Sequence, residues 1–310
     1  MKNIFRLALL KREDYFIPEV SFLFLKHKFR SIKYKPIVFY WKDVFYEYFL
    51  KNNMKFKIKN LKKDLDKISC EYIDNFIDLF PYIDSLYPSE GWTKYDDRLM
   101  KKCKEFSKNF KQPFEDILTI NPFYYSQIYG LKDLDNKILE NINGKIIIDG
   151  GALNGDTALM FHHYFPKSQI FAYEPLSKNY EIMEKFLAID NCNNKIIPVK
   201  KGLGEKEGTA NIQFNYTEIA QITTLDIEFK NSTPIGLIKL DTEGFETKII
   251  NGAKNIIKRD KPVIVTAIYH TPQDFFELKD KLKSLNPDYK FMIRRSEPII
   301  PMADLVLIAY

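Results

Sequence analysis

Cysteine is scarce in this chain, and the scarcity sets the first limits. Three occur in 310 residues: Cys70, Cys103 and Cys192. They are widely spaced and odd in number, so neither a disulfide scaffold nor a paired-cysteine metal site is indicated. They fit reduced thiols in a cytoplasmic protein. Long apolar runs are missing too. The patch over residues 1–10 is interrupted by Lys11, Arg12, Glu13 and Asp14, and no small-residue cleavage site follows, so neither export nor a membrane span is expected. Internal repeats and low-complexity tracts are absent. What is there is 45% hydrophobic, enough for one sizeable core or two modest ones.

The formal net charge is +6, but its distribution matters more. Residues 1–63 hold sixteen Lys and Arg against five Asp and Glu, a local +11 that leaves −5 for the remainder. Aromatics are interleaved with this charge, among them Phe29, Tyr34, Trp41, Phe45, Tyr48 and Phe56. Such a segment suits nucleic acid, an acidic membrane surface or an acidic protein partner. No nucleic-acid motif accompanies it, so nucleic acid is not expected. The plain reading is a lysine-rich solvated face over an aromatic core; peripheral docking to an acidic surface or partner through Met1 to Lys63 is the alternative.

Two regions of different character follow. Residues 1–59 resist assignment, with Pro18 and Pro36 punctuating apolar runs at 20–25 and 37–41. Leu61, Leu65, Ile68, Tyr72, Phe76 and Phe80 recur at three- and four-residue steps and predict one helix over 61–80, ending at Pro81. Leu99, Cys103, Phe106 and Phe110 predict a second over 95–110, and shorter helices are expected at 114–118, 123–129 and 131–142. Residues 1–137 thus read as a mainly α-helical region that supplies acceptor specificity or a docking surface. Residues 138–310 alternate instead. Strands are expected at 146–148, 170–173, 195–199, 235–240 and 262–269, helices at 180–189, 245–258 and 272–284, extra β elements at 208–216 and 221–225, and final apolar stretches at 289–293 and 303–310. That alternation argues an α/β fold, a largely parallel sheet with helices on both faces, whose ligands sit at the strand carboxyl ends.

One stretch concentrates the chemistry. At 145–157 the chain reads Lys-Ile-Ile-Ile-Asp-Gly-Gly-Ala-Leu-Asn-Gly-Asp-Thr: a buried strand, a tight turn and a helix start. Glycines let the backbone approach a ligand, and Asp149 at the strand end can accept hydrogen bonds. The pattern Asp149, Gly151, Gly155 is not the dinucleotide Gly-x-Gly-x-x-Gly. It reads as a nucleoside loop, for S-adenosylmethionine. Glu174 ends the next strand about twenty residues on, where an acid can accept both ribose hydroxyls. Asn154 and Asp156 fit either a ligand contact or a helix cap and first-turn acid.

Three ordered motifs carry a resemblance: Ile-Asp-Gly-Gly-Ala-Leu-Asn-Gly-Asp-Thr at 148–157, Tyr-Glu-Pro at 173–175 and Ile-Lys-Leu-Asp-Thr-Glu-Gly-Phe-Glu at 238–246. Together they resemble the FkbM family of S-adenosylmethionine-dependent methyltransferases, over roughly residues 144–310. The resemblance implies a class I methyltransferase (Rossmann-like) domain at 138–310, with a seven-stranded sheet whose last strand is antiparallel. It implies a donor site of Asp149, Gly150, Gly151, Asn154, Asp156, Thr157, Tyr173, Glu174 and Asp241. The expected acceptor is a hydroxyl of a sugar or surface-glycan precursor. Leu153 stands where many methyltransferases have a middle glycine, and Gly202-Leu203-Gly204 lacks the acid that often holds the adenine amine in other class I enzymes.

Methyl transfer from a sulfonium is an in-line displacement, and a sugar hydroxyl is a poor nucleophile, so a base should take its proton. Asp241, ending a strand beside the donor, leads; Glu243 in the same loop and His270 after the strand 262–269 are the further candidates. Glu246 is expected to serve the following helix terminus. Asp241, Glu243 and His270 could also hold a divalent ion, the less expected use of these groups. Two other classes compete: an NAD-linked oxidoreductase, and a non-catalytic nucleoside-binding protein docked through its basic segment.

Overall fold

A computed structural model describes residues 39–86, 93–109, 122–189, 194–213, 217–297 and 302–310. Cys192, the runs at 20–25 and 114–118, and much of the basic segment lie outside them. The described helices are α1 (Lys42–Lys51), α2 (Met54–Lys62), α3 (Lys67–Leu79), α4 (Lys94–Asn109), α5 (Pro122–Gln127), α6 (Asn136–Ile142), α7 (Asp156–Tyr164), α8 (Ser177–Ile189), α9 (Leu225–Glu228), α10 (Glu246–Asn251), α11 (Lys254–Asp260) and α12 (Pro272–Leu285). The strands are β1 (Ile146–Gly150), β2 (Ile170–Tyr173), β3 (Ile196–Val199), β4 (Gly202–Leu203), β5 (Gly208–Gln213), β6 (Thr217–Thr223), β7 (Ile235–Leu240), β8 (Val263–Ala267), β9 (Phe291–Arg295) and β10 (Leu305–Ala309).

Seven strands form one sheet in the order β3-β2-β1-β7-β8-β10-β9. The first five pair in parallel, and β10, the last strand, runs antiparallel to both neighbours, as expected. Side chains alternate across the sheet. Ile146 and Ile148 enter the core on one face and Ile147 on the other; Leu305 and Leu307 oppose Val306 and Ile308 in the same way. Helices α1–α3 and α10–α12 cover the first face and α5–α8 the second. The order reverses between β1 and β7, which opens a crevice at their carboxyl ends. A separate small sheet has β4 parallel to β6 and β5 antiparallel to it.

Two expected helices are each broken in two. The apolar rhythm of 61–80 stays in phase through Leu65 and Ile68, which is why one helix is predicted. The chain nevertheless leaves α2 after Lys62 and restarts at Asp66, whose carboxylate accepts from the Ser69 amide at 2.8 Å. The buried Lys279 ammonium secures the break by donating to the carbonyls of Asn60, Leu61 and Lys63 at 3.1, 2.9 and 2.7 Å. The second break falls after Asn251. A Cβ on Gly252 would lie 2.1 Å from the Gly204 carbonyl oxygen, so the backbones of this corner and of the loop after β4 approach too closely for any side chain.

The helices before residue 138 share a core with the sheet. Phe45, Phe76 and Phe80 pack with Phe275 of α12, the rings of Phe76 and Phe275 lying 4.3 Å apart. Arg294 of β9 pairs with Asp66 at 2.8 Å and Asp133 at 2.5 Å. In the described part of the basic segment, Phe39, Phe45 and Tyr48 are buried while Tyr40 and Phe56 stay exposed, and several lysines pair with acids: Lys42 with Asp84, Lys57 with Glu277 and Lys62 with Asp74. Pairs this exposed contribute little to stability. Cys70 and Cys103 are free thiols. Among the described residues, no helix is long and apolar enough to cross a membrane.

Candidate active site

The glycine turn after β1 is built around a buried ion pair. Lys239 sits inside the otherwise apolar β7, and its ammonium reaches Asp149 at 3.0 Å and the Gly151 carbonyl at 2.9 Å. Burial alone would lower the Lys239 pKa, but the carboxylates of Asp149, Asp241 and Asp156 outweigh it and hold the ammonium above its usual range. The other Asp149 oxygen accepts from the Thr157 hydroxyl at 2.6 Å. Asp149 and Thr157, both expected to touch a ligand, therefore fasten strand, turn and helix to one another.

Gly151, at φ 74°, has no room for a side chain: a Cβ would stand 1.9 Å from the Asp241 carbonyl oxygen. Leu153 adopts φ 50°, so the position of the missing middle glycine is still left-handed. Its amide donates to Glu174 at 3.0 Å. Glu174 also accepts from the Leu176 amide at 3.0 Å and the Asn179 side chain at 3.3 Å. Burial pushes its carboxyl up, an effect those hydrogen bonds partly offset. Asn154 accepts from the Asp156 amide at 3.3 Å, and Asp156 from the Thr157 amide at 2.7 Å.

Asp156 gives a pH prediction. Burial, with Asp149 nearby and Lys239 opposing, raises it to about 6. The folded chain then holds this proton more tightly than the unfolded one, so the stability it contributes is present below about pH 4 and lost as pH rises to about 6. Asp156→Asn keeps the acceptor for the Thr157 amide and is expected to raise stability at pH 7 by up to about 2 kcal/mol. Denaturation midpoints across pH 4–7 check this; parallel profiles for variant and parent would contradict it.

A second cluster lies across the crevice. Asp241 directly follows β7, and one of its oxygens accepts from the Tyr129 hydroxyl at 2.6 Å. Tyr129 is buried and stands in a run of left-handed residues, Ile128, Tyr129 and Gly130, just after α5. The other Asp241 oxygen faces His270 Nε2 at 3.5 Å, and Glu243 faces the same nitrogen at 3.7 Å. His270 Nδ1 is 2.8 Å from Glu246, which also accepts from the Thr242 amide at 2.8 Å. Glu246, expected to serve the helix terminus, instead accepts from the loop amide of Thr242 and orients the imidazole. Burial of His270 would lower its pKa, but Glu246, Asp241 and Glu243 raise it to about 9. Trp41, from the basic segment, lies against the His270 ring at 4.8 Å.

One cavity of about 240 Å³ joins the two clusters. Gly151, Tyr173, Glu174, Asp241, Thr242, Glu243 and Tyr269 all line it; Leu176, Leu203 and the β5–β6 residues Asn211, Ile212 and Ile222 supply further walls. Of the expected site residues, Gly151, Tyr173, Glu174, Asp241 and Glu243 line it. His270 stands directly behind the acids. Asp149, Gly150, Asn154, Asp156 and Thr157 are not among the lining residues and build the turn instead. Tyr129, Lys239 and Trp41 are additions from the fold.

Sheet order, the antiparallel last strand and a cleft at the β1/β7 switch define a class I methyltransferase fold. Residues 149–294 match the family model described as the Methyltransferase FkbM domain. The structure is similar to methyltransferase FkbM from Methylobacillus flagellatus KT, with TM-score 0.58 and 18% identity, over 83% of this chain and 58% of that one. The chain therefore spans little more than half the length of that protein. Fibrillarin from Aeropyrum pernix, solved with S-adenosyl-L-methionine bound, superposes with TM-score 0.39 and 11% identity over 60% of this chain and 73% of its own. No curated protein matches the sequence.

Proposed function

We propose that the chain is an S-adenosylmethionine-dependent O-methyltransferase acting on a hydroxyl of a sugar or surface-glycan precursor. The observation that carries this reading is the cavity lined both by Gly151 and Glu174 and by Asp241 and Glu243. The residues fit the donor: Gly151, without a side chain, lets the turn pack against the Asp241 backbone and line the cavity, and Glu174 is a buried carboxylate with acceptor capacity beyond its three hydrogen bonds, suited to ribose hydroxyls. When bound, S-adenosylmethionine supplies an activated methyl group. The chain's part is to hold the acceptor oxygen in line with it, keep water out and receive the hydroxyl proton. Asp241 takes that proton, with Glu243 and His270 beside it. Tyr269 lines the cavity with a ring suited to the face of a sugar, and Trp41 packs against both Tyr269 and His270, the route by which the amino-terminal region would influence acceptor choice.

The experiment that tests the acceptor class is mass spectrometry of surface glycans from a strain lacking this chain. One sugar should lose the mass of one methyl substitution and regain it on complementation; unchanged glycans would contradict the reading. Docking of the basic residues 1–63 to an acidic surface belongs to the same proposal. It requires salt-sensitive binding to anionic vesicles that disappears when those residues are deleted.

A further inference from the structure

We infer that Asp241, Glu243 and His270 bind one divalent transition-metal ion at the acceptor end of the cavity, with Glu246 holding the imidazole in position from behind. The first observation is an orphan. His270 is fully buried, yet its Nε2 has no hydrogen-bond partner among the described residues. A buried polar atom left this way costs free energy unless something outside the chain satisfies it. The second observation is where that atom points. Asp241 and Glu243 oxygens stand 3.5 and 3.7 Å away, beyond hydrogen-bond distance. Two ligand atoms each about 2.1 Å from one ion lie about 3.0–3.5 Å apart at angles between right and tetrahedral, so the His270–Asp241 spacing fits a shared cation as it stands, and the half-exposed Glu243 side chain must turn in to join it.

The third observation is the support behind the ligands. A metal-binding imidazole commonly gives its other nitrogen to a carboxylate, which fixes the tautomer and ring orientation. Glu246, itself fully buried, stands 2.8 Å from Nδ1. Tyr129 fixes Asp241 in the same way through the oxygen turned away from His270. Ligand atoms of Asp241, Glu246 and His270 all lie within 4.8 Å of one another. Geometry assigns Glu246 to the supporting shell, because its Oε1 stands on Nδ1, the ring nitrogen opposite Nε2, although its Oε2 is also without a partner among the described residues. One imidazole and two carboxylates suit Mn²⁺ or Zn²⁺ better than Mg²⁺, which favours oxygen donors alone. Asp241 and Glu243 line the cavity, so the remaining coordination positions open toward it. A hydroxyl bound there is oriented and made more acidic, which eases the task of the base. This consequence rests on the methyl-transfer reading; the binding of the ion does not.

The test uses the full chain, free of any polyhistidine tag and stripped with chelator, titrated with Mn²⁺ under electron paramagnetic resonance and with Zn²⁺ in competition. Saturable binding of one ion per chain is expected. Glu243→Ala, at the open side of the site, should weaken it at least tenfold, and His270→Ala should weaken it further. Glu246→Gln should weaken it about tenfold through the ring alone. Thermal melts of all three variants establish that they fold. Failure of both ions to bind saturably, or parental affinity in folded Glu243→Ala and His270→Ala, would overturn the inference. Calorimetry with S-adenosylmethionine on the same stripped samples reports separately on the donor site, so loss of one does not masquerade as loss of the other.

Discussion

Asp241→Asn is expected to lower turnover by a factor of about 10²–10⁴ while leaving donor affinity within a few-fold of the parent. The substitution is nearly isosteric. An asparagine oxygen can still accept from the Tyr129 hydroxyl, so the 2.6 Å contact and the loop it anchors survive. What is lost is the negative charge facing His270 and the cavity. Without it the acceptor hydroxyl must give up its proton to a weaker or more distant base. Complementation makes this measurable before the acceptor is purified: the variant should fail to restore the methylated glycan, while calorimetry shows the donor still bound. Restoration at the parental level would remove Asp241 from the chemistry.

Lys239→Met is expected to destabilise the fold by about 3–5 kcal/mol. Methionine fills similar space, so little of this comes from a cavity. The cost arises because Asp149, fully buried, loses its counter-charge, and the Gly151 carbonyl loses a donor. A change of this size corresponds to a fall of roughly 10 °C in Tm for a domain of this class. Adding Asp149→Asn should recover part of the loss, since a neutral amide at that position tolerates burial better and can still accept from Thr157. Urea denaturation of both variants checks this. A single-variant loss below about 1 kcal/mol would mean that the pair does not hold the turn.

The glycine turn, Glu174 and the loop after β7 were legible because each is a local signal at a fixed distance from a strand end. Their partners come from tertiary structure. Tyr129 reaches Asp241 across 112 positions, and nothing in the sequence around Tyr129 announces it. Glu246 and His270 meet across 24 positions through the approach of two loops. Lys239 did leave a trace: a lysine inside the run Ile-Gly-Leu-Ile-Lys-Leu is a charge that must be paired if the strand is buried, but that the partner is Asp149 follows only from the pairing of β1 with β7. Gly252 left a similar trace, a glycine inside a helical pattern. The break between α2 and α3 left less, because Asp66 capping and Lys279 binding override an apolar rhythm that continues in phase.

Asp149 shows how a correct motif can carry a different physical role. Its place at the end of β1 invites a ligand contact, but the structure gives its oxygens to Lys239 and Thr157. Its contribution is to hold the Gly151 turn in the shape that leaves the cavity open. Glu174, by contrast, both braces Leu153 and lines the cavity, so structural and binding roles coincide in one carboxylate.

Calorimetric titration of the full chain with S-adenosylmethionine, and in parallel with NAD, addresses the central claim most directly. One saturable S-adenosylmethionine site is expected, weakened at least tenfold by Glu174→Ala in a chain that still melts cooperatively, with no heat from NAD. Saturable NAD binding without any S-adenosylmethionine signal would contradict the methyl-donor site and return the cleft to dinucleotide chemistry.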